Sequence, residues 1–320
     1  MKKKSIVLIS ILLLFISLVF AGCSPGVTDK TTADYTYSYS DHSFERNGVA
    51  LHLDCVKADE VTQDKQILLV HGVTYSSHEF DIDYKDYSLV RFLARNGYAV
   101  WRVDISGFGQ SGQVKDGFMP DSDYAAEDIA AAVDEIVRIS KSDKIDLLGW
   151  SWGTVTSSRY VIRNSEHINR LVLYAPILSG IGEIKVEEAF HQNTWEHAAD
   201  DFQRDKDGNY DSSIIDPVMV EMFCSSCWHY DGGHSPNGGR RDLCVDKKVK
   251  LIDLPEINVP TLIICGDNDP YLNYDLINEA KQSLPGGSET KVIPGGAHVI
   301  MYEKPYYHEF QEELLAFLSD

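Results

Sequence analysis

One serine stands out in this chain of 320 residues, because it lies in a pattern that can make its hydroxyl a nucleophile. It is the centre of Gly149-Trp150-Ser151-Trp152-Gly153, directly after the apolar run 145–148 and before a segment of helical character. In a strand–turn–helix setting this G-x-S-x-G spacing makes a turn so tight that the residues two positions from the serine must be small. The turn lifts the hydroxyl to the carboxyl end of the strand, at the positive end of the next helix. We therefore predict that Ser151 is a catalytic nucleophile.

A serine hydroxyl is a weak nucleophile unless a base accepts its proton, and that base is usually a histidine held by a carboxylate. Asp267 and Asp269 follow the buried run that ends at Cys265, and His298 follows the next apolar run along the chain. The order serine, aspartate, histidine is the one expected around this kind of serine turn. We predict a catalytic triad of Ser151, His298 and Asp269, with Asp267 as the alternative carboxylate.

The oxyanion of a tetrahedral intermediate needs hydrogen-bond donors, and two backbone amides are placed to supply them. One is the amide of Trp152, at the start of the helix after the nucleophile, and position favours the amide of Val73 as the other. Val73 lies in the loop after the first buried strand, where His71 is expected to have a structural role. The side chain of Trp150 has two open interpretations: it lines a substrate pocket, or it packs beneath the turn.

Six short apolar runs bounded by turn residues predict an α/β fold, because such strands are buried on both faces of a mostly parallel sheet flanked by helices. Two earlier segments, 35–39 and 49–56, alternate apolar and polar residues and predict half-buried edge strands. An amphipathic helix at 123–140 starts with an aspartate and carries its apolar residues on one face. The six runs are residues 67–70, 99–103, 145–148, 171–174, 261–265 and 290–293.

About eighty residues between two of the predicted strands break this alternation. They contain acidic helical pieces and a glycine-rich stretch, and they are too long for a simple connection. We predict a helical cap at 177–258, inserted into a core formed by residues 35–176 and 259–320.

The predicted cap contains three of the six cysteines, Cys224, Cys227 and Cys244. Outside the cytoplasm, a disulfide among these three is the favoured prediction, although the sequence does not say which two pair. A zinc site is the alternative, but there is no second C-x-x-C and the histidine spacing is irregular. We therefore predict no metal.

The N-terminal residues 1–23 begin with a run of lysines and continue with a long apolar stretch, which predicts an export signal. Its end, Phe20-Ala21-Gly22-Cys23, resembles the lipobox of bacterial-type lipoproteins, except that Phe20 stands where leucine is preferred. The resemblance implies that Cys23 is acylated and anchors the protein to a membrane, with residues 24–34 as a tether. An ordinary secretory signal and an uncleaved anchor helix are the alternatives. All three place the body outside the cytoplasm.

Composition excludes several classes of function. The chain has 29 Lys+Arg against 49 Asp+Glu and a formal charge of −20, which argues against binding nucleic acid because the phosphate backbone would be repelled. With 43% hydrophobic residues the chain can bury a large core. Only one long apolar run is present, so the sequence does not fit a multi-span membrane protein.

Together, these motifs resemble those of the α/β-hydrolase superfamily, over the chain from about residue 35 to the C-terminus. The resemblance implies an α/β-hydrolase fold and a serine hydrolase that needs no cofactor. Dehalogenases and epoxide hydrolases of this fold use aspartate as the nucleophile, so Ser151 disfavours both activities. The segment 86–101 is also similar to acid lipases. The motifs, in the family's order, are Leu69-Val70-His71-Gly72, Asp104-Ile105-Ser106-Gly107-Phe108-Gly109-Gln110-Ser111, Gly149-Trp150-Ser151-Trp152-Gly153, Gly266-Asp267-Asn268-Asp269 and Gly296-Ala297-His298.

We expect the protein to cleave carboxylic esters of small molecules through an acyl intermediate on Ser151. An aminopeptidase-like amide hydrolase is a second hypothesis, since the Trp152-Gly153 ending is similar to that of family members that release N-terminal residues from peptides. Such an activity would need an acidic pair for the substrate ammonium, for which Glu187-Glu188 and Asp200-Asp201 are candidates. The remaining hypotheses are a non-hydrolytic member of the fold, such as a lyase or a cofactor-free haloperoxidase, and a non-catalytic binding protein.

Overall fold

The computed structural model describes residues 35–319, with an eight-stranded sheet at the centre. The strands of this region are β1 (Tyr37–Arg46), β2 (Val49–Ala58), β3 (Lys65–Val70), β4 (Tyr98–Asp104), β5 (Ile145–Trp150), β6 (Ile168–Tyr174), β7 (Phe190–Gln192), β8 (His234–Pro236), β9 (Thr261–Gly266) and β10 (Glu289–Ile293). The order across the large sheet is β1-β2-β4-β3-β5-β6-β9-β10, and β7 pairs with β8 in a separate ribbon.

Strand pairing in the large sheet is parallel from β4 across to β10, and β1 and β2 extend it as antiparallel strands. This confirms the predicted α/β class with a mostly parallel sheet. The prediction of two edge strands holds for β1 and is wrong for β2, because β2 pairs with β1 on one side and with β4 on the other. Alternation of apolar and polar residues shows that one face of a strand is buried and the other is exposed. Whether the strand lies at the edge of its sheet depends instead on whether it has hydrogen-bonded neighbours on both sides.

Helices connect the parallel strands, and their ends follow from local hydrogen bonding. In the helix at Ser122–Ser140, the carboxylate of Asp121 accepts the amides of Asp123 and Tyr124, and Lys141 in the left-handed conformation ends it. This agrees with the predicted start and end to within one residue. The helices of the described residues are α1 (Leu89–Arg95), α2 (Ser122–Ser140), α3 (Trp152–Arg163), α4 (Trp195–Ala198), α5 (Pro217–Asp231), α6 (Gly238–Leu243), α7 (Tyr274–Ser283) and α8 (Tyr307–Ser319).

Two apolar cores cover the two faces of the sheet. Along β3, Ile67 and Leu69 belong to one core, while Leu68 and Val70 belong to the other. Helices α1 and α8 pack into the first core, and α2, α3 and α7 pack into the second. Successive side chains of a strand point to opposite faces, so a continuous apolar run is what such a strand needs.

Residues 175–260, here called the insertion, lie between β6 and β9 and contain β7, α4, α5, β8 and α6. The buried face of α5 contributes Met219, Val220 and Phe223 to the core that also contains α1 and α8. The described residues belong to one compact unit. The division into a core and a cap at 177–258 stays a prediction.

The cysteines of the described residues, Cys55, Cys224, Cys227, Cys244 and Cys265, are all free thiols. The predicted disulfide within the insertion is therefore wrong. Cys224 and Cys227 lie on the same helix, where Cys224 Sγ donates to the carbonyl of Trp195 and Cys227 is buried. No group of three or more metal-binding side chains was found within residues 35–319.

Several predictions fall on residues that the structure does not describe. The export signal at 1–23, acylated Cys23 and the tether at 24–34 lie outside the described residues. Within 35–319, none of the helices has the length and apolar character to cross a membrane.

We expect Gly266→Ala to destabilise the fold, because β9 ends against the chain that follows β10. A Cβ atom at Gly266 would collide with the carbonyl group of Gly296. Overpacking of this kind lowers the free energy of unfolding by about 1–3 kcal/mol, measurable by urea denaturation. Gly286→Ala is the matched control, since no atom lies within 4 Å of its Cβ position. Equal stability of the two variants would contradict this packing argument.

Candidate active site

The turn at Ser151 is strained, as the spacing of its glycines predicts. Ser151 has φ 56° and ψ −120°, a conformation that residues other than glycine rarely adopt. A Cβ atom at Gly149 would collide with the carbonyl of Gly153, and one at Gly153 would collide with the carbonyl of Val70. Small residues are required here because strand β5, the turn and helix α3 pack without space for a side chain.

His298 and Asp269 form a buried hydrogen bond. The distance from His298 Nδ1 to Asp269 Oδ2 is 2.8 Å, and the two residues are 3% and 6% exposed. Asp269 follows β9 and His298 follows β10, which are parallel neighbours, so both side chains start from one edge of the sheet. Because the carboxylate can only accept, His298 Nδ1 carries the proton and Nε2 is left to act as a base.

Of the two aspartates predicted for this position, Asp269 is the one in contact with His298. Asp267 accepts the amide of Gly295 at 2.6 Å and is exposed, so it stabilises the turn before His298. Glu303 supports the same segment from the other side, where its Oε2 accepts the amide of Ala297 at 2.9 Å.

Trp150 ties the backbone of His298 to the nucleophile strand. Its indole N–H donates to the carbonyl of His298 at 3.1 Å, and the hydroxyl of Tyr174 donates to the same oxygen at 3.2 Å. The indole is buried and stacks on Tyr174. This position favours packing beneath the turn, and the substrate-binding role of Trp150 stays a prediction. Since Trp150 directly precedes Ser151, these bonds hold His298 close to the serine turn.

Charges around His298 set its protonation. Burial alone would lower the pKa of its imidazole, but the charge and hydrogen bond of Asp269 outweigh burial, and Asp201 and Glu303 add to them. The pKa is raised to about 8. The imidazole is therefore largely protonated at neutral pH and becomes the base as the pH rises through this value.

The loop after β3 passes directly against the serine. A Cβ atom at Gly72 would lie 2.9 Å from Ser151 Cβ, and Val73 is the next residue of this loop. His71 holds this loop: its Nε2 accepts the amide of Ile105 at 3.1 Å, and Nδ1 donates to the carbonyl of Gly72 at 2.8 Å. Burial lowers the pKa of His71, which keeps the ring neutral for these two bonds. Such bonds fit the structural role expected for it.

Several residues near the site were not predicted from the sequence to belong to it. The ring of Tyr271 stands edge-on to His298, with 4.9 Å between ring centroids. Arg240 on α6 donates to Thr74 Oγ1 and to His197 Nε2. These residues come from the insertion and the loop after β9, and no local motif marks them.

Ser151 in its strained turn and the buried pair of His298 and Asp269 all follow strands of the same sheet. This arrangement is suited to nucleophilic acyl transfer. A family model described as serine aminopeptidase, S33 (Hydrolase_4) matches residues 62–305. The chain belongs to this family. It is a member of the α/β-hydrolase superfamily, as the motifs predict.

Individual relatives of this S33-family chain show how widely the fold is shared. A putative non-heme chloroperoxidase from Synechocystis sp. is 26% identical over 255 residues, which cover 76% of this chain and 87% of the relative. A bromoperoxidase structure from Bacillus anthracis aligns with a TM-score of 0.62 and 22% identity over 88% of this chain and 100% of its own. An esterase structure from Exiguobacterium antarcticum aligns with a TM-score of 0.60 and 17% identity over 86% and 97%. The structural matches confirm the α/β-hydrolase fold.

We expect Asp269→Asn to bring the pKa of His298 from about 8 to below the ordinary histidine value of about 6.5. The variant removes the largest opposing charge while the lowering effect of burial stays. Titration of the imidazole by NMR measures this change. Asp267→Asn is the matched control and should leave the pKa of His298 within a few tenths of its original value. A larger effect at Asp267 would assign the carboxylate role to that residue instead.

Proposed function

We propose that this protein is a serine hydrolase that cleaves carboxylic esters of small molecules. The observation that carries the proposal is the buried hydrogen bond from His298 to Asp269, with the backbone of His298 bonded to Trp150, the residue before Ser151 in its strained turn. A histidine oriented by a carboxylate is what a serine hydroxyl needs in order to attack a carbonyl carbon.

In the proposed mechanism, Ser151 Oγ attacks the ester carbonyl while His298 Nε2 takes the serine proton. Asp269 stabilises the imidazolium that forms. The backbone amides of Val73 and Trp152 donate to the oxyanion, and His298 then gives the proton to the departing alcohol. Water then attacks the acyl–Ser151 ester while His298 takes its proton. His298 returns that proton to Ser151 Oγ as the acid leaves. These residues and the attacking water account for every proton and electron pair, so the proposed mechanism needs no cofactor.

The insertion is well placed to act as a cap. Ser151 and His298 are 5% and 3% exposed, so little of either residue is open to solvent. A Cβ atom at Gly239 on α6 would collide with the indole of Trp152, which shows how tightly the insertion contacts the turn. We propose that movement of this contact admits substrate.

Aminopeptidase-like amide hydrolysis is the second candidate, favoured by the S33 family and by one acidic residue. Of the acidic pairs predicted to hold an ammonium group, Asp201 acts electrostatically on His298, whereas Glu187 and Glu188 are exposed and Glu187 pairs with Lys185. Aminoacyl p-nitroanilides with free and with blocked amino groups decide between the candidates. Cleavage of the free forms at rates above those of p-nitrophenyl esters would favour the peptidase.

We propose that the protein is anchored outside the cytoplasm through acylated Cys23. The proposal rests on the lysine-rich start, the apolar stretch and the small residues Ala21 and Gly22 before Cys23. In a bacterial host, Cys23→Ser should move the protein from the membrane fraction to the soluble fraction, and metabolic labelling with palmitate should lose its signal. An unlabelled but membrane-bound wild type would favour the uncleaved anchor helix.

We expect Ser151→Ala to lower kcat/KM for p-nitrophenyl esters by at least about 10⁴-fold, because the nucleophile and its acyl intermediate are lost. The variant should also fail to react with a fluorophosphonate probe. Ser157→Ala is the matched control: it lies on the same helix, and its buried hydroxyl has no hydrogen-bond partner in the described residues. Its activity and labelling should match the wild type. Retained turnover in Ser151→Ala would overturn the proposed function.

A further inference from the structure

Arg240 is a half-buried cation beside the candidate active site, and none of the carboxylates in the described residues pairs with it within 4 Å. Its environment differs from that of Arg102, a fully buried arginine that forms an ion pair with Asp54. A partly buried guanidinium without a counter-charge gains from an anionic partner, which makes Arg240 a candidate for binding a negatively charged group. The arginines of residues 35–319 that do have a carboxylate partner are Arg46, Arg91, Arg102, Arg138, Arg159 and Arg163.

The guanidinium contacts the loop that carries the proposed oxyanion amide. Its Nη2 donates to Thr74 Oγ1, and Thr74 directly follows Val73. Tyr271, whose ring stands edge-on to His298, is among the groups that influence the pKa of Arg240. Arg240 is therefore bonded to the loop that touches Ser151.

Part of the hydrogen-bonding capacity of Arg240 is unused. Nη2 also donates to His197 Nε2 at 3.3 Å, so both bonds to side chains use the same nitrogen. The donors on Nε and Nη1 have no protein acceptor among the described residues. Either of these two nitrogens can donate a charge-assisted hydrogen bond to a carboxylate oxygen.

Arg240 is also the cation that persists at neutral pH in this cluster. Burial and the charge of Arg240 lower the pKa of His191 to about 4 and lower the pKa of His197 as well, so both rings are uncharged. Asp201 is an exposed carboxylate that acts on Arg240 electrostatically without forming an ion pair with it. Since the whole chain carries a formal charge of −20, an anion is attracted to this site only by a local positive group.

We propose that Arg240 binds a carboxylate carried by the substrate, so that the site selects esters with an anionic group on the acyl or the alcohol side. This inference rests on the proposed ester hydrolysis and names its substrate class. Arg240 has no part in bond breaking: it positions the ester carbonyl between Ser151 and the loop of Val73 by holding the far end of the substrate.

The test compares substrates that differ in charge at one end. On the acyl side, the pair is mono-p-nitrophenyl glutarate and p-nitrophenyl valerate, which have acyl chains with the same number of carbons. On the alcohol side, the pair is acetoxybenzoate and tolyl acetate. For each pair, the charge preference is the ratio of kcat/KM for the anionic ester to that for the neutral ester.

We expect Arg240→Gln to lower the charge preference about 10- to 100-fold in at least one pair, because a hydrogen-bonded ion pair with the substrate is lost. Arg240→Lys should retain part of the preference. Arg241→Gln is the matched control, since it removes the same charge from the same helix at an exposed position, where Arg241 stacks on Phe118. Its charge preference should equal that of the wild type. The pair that responds identifies which side of the ester carries the carboxylate.

An unchanged ratio in Arg240→Gln for both pairs would overturn the inference, even if both rates fall together. A parallel fall would mean that Arg240 only braces Thr74. Failure of the proposed function looks different, since the wild type would then cleave none of these esters. In that case, calorimetric titration of Ser151→Ala with mono-p-nitrophenyl glutarate still decides: binding that is weakened by adding Arg240→Gln supports the inference, and equal or absent binding contradicts it.

Discussion

The hydrogen bond between His298 and Asp269 is buried, and burial would be unfavourable for either side chain without the other. A buried carboxylate needs a donor, and a buried imidazole becomes basic only beside a negative charge. Asp269 satisfies both requirements and raises the pKa of His298 to about 8 despite burial. The sheet makes this possible because β9 and β10 are parallel neighbours and deliver both side chains to one edge.

Close backbone packing supports this pair on the side of the nucleophile. Ser151 adopts a left-handed conformation, and the surrounding structure must hold it there against the strain. Strand β5, helix α3 and the loop at Gly72 do so by packing so closely that a Cβ atom at Gly72 or Gly149 would crowd a neighbour. The same strand sends the indole of Trp150 to the backbone of His298. Strand β5 thus helps both to hold the strained turn at Ser151 and to orient His298.

Charge around the site comes largely from the insertion. Asp201 raises the pKa of His298 and would suit a substrate ammonium, whereas Arg240 would suit a substrate carboxylate. The fold places Ser151, Asp269 and His298 after the ends of β5, β9 and β10, whereas Asp201 and Arg240 belong to the insertion.

Much of the fold and the candidate triad could be predicted from the sequence because the signals are local. Apolar runs report strands buried on both faces, Asp121 and Lys141 bound a helix by bonds to near neighbours, and paired glycines report the turn at Ser151. Other features depend on partners distant in the chain. Examples are the contact of His298 with Asp269 and not Asp267, and the position of β2 inside the sheet. Two more are the free thiols of α5 and the bond from Arg240 to Thr74. A residue's type and spacing restrict its own backbone, whereas the atoms it contacts across the molecule are decided only when the elements pack together.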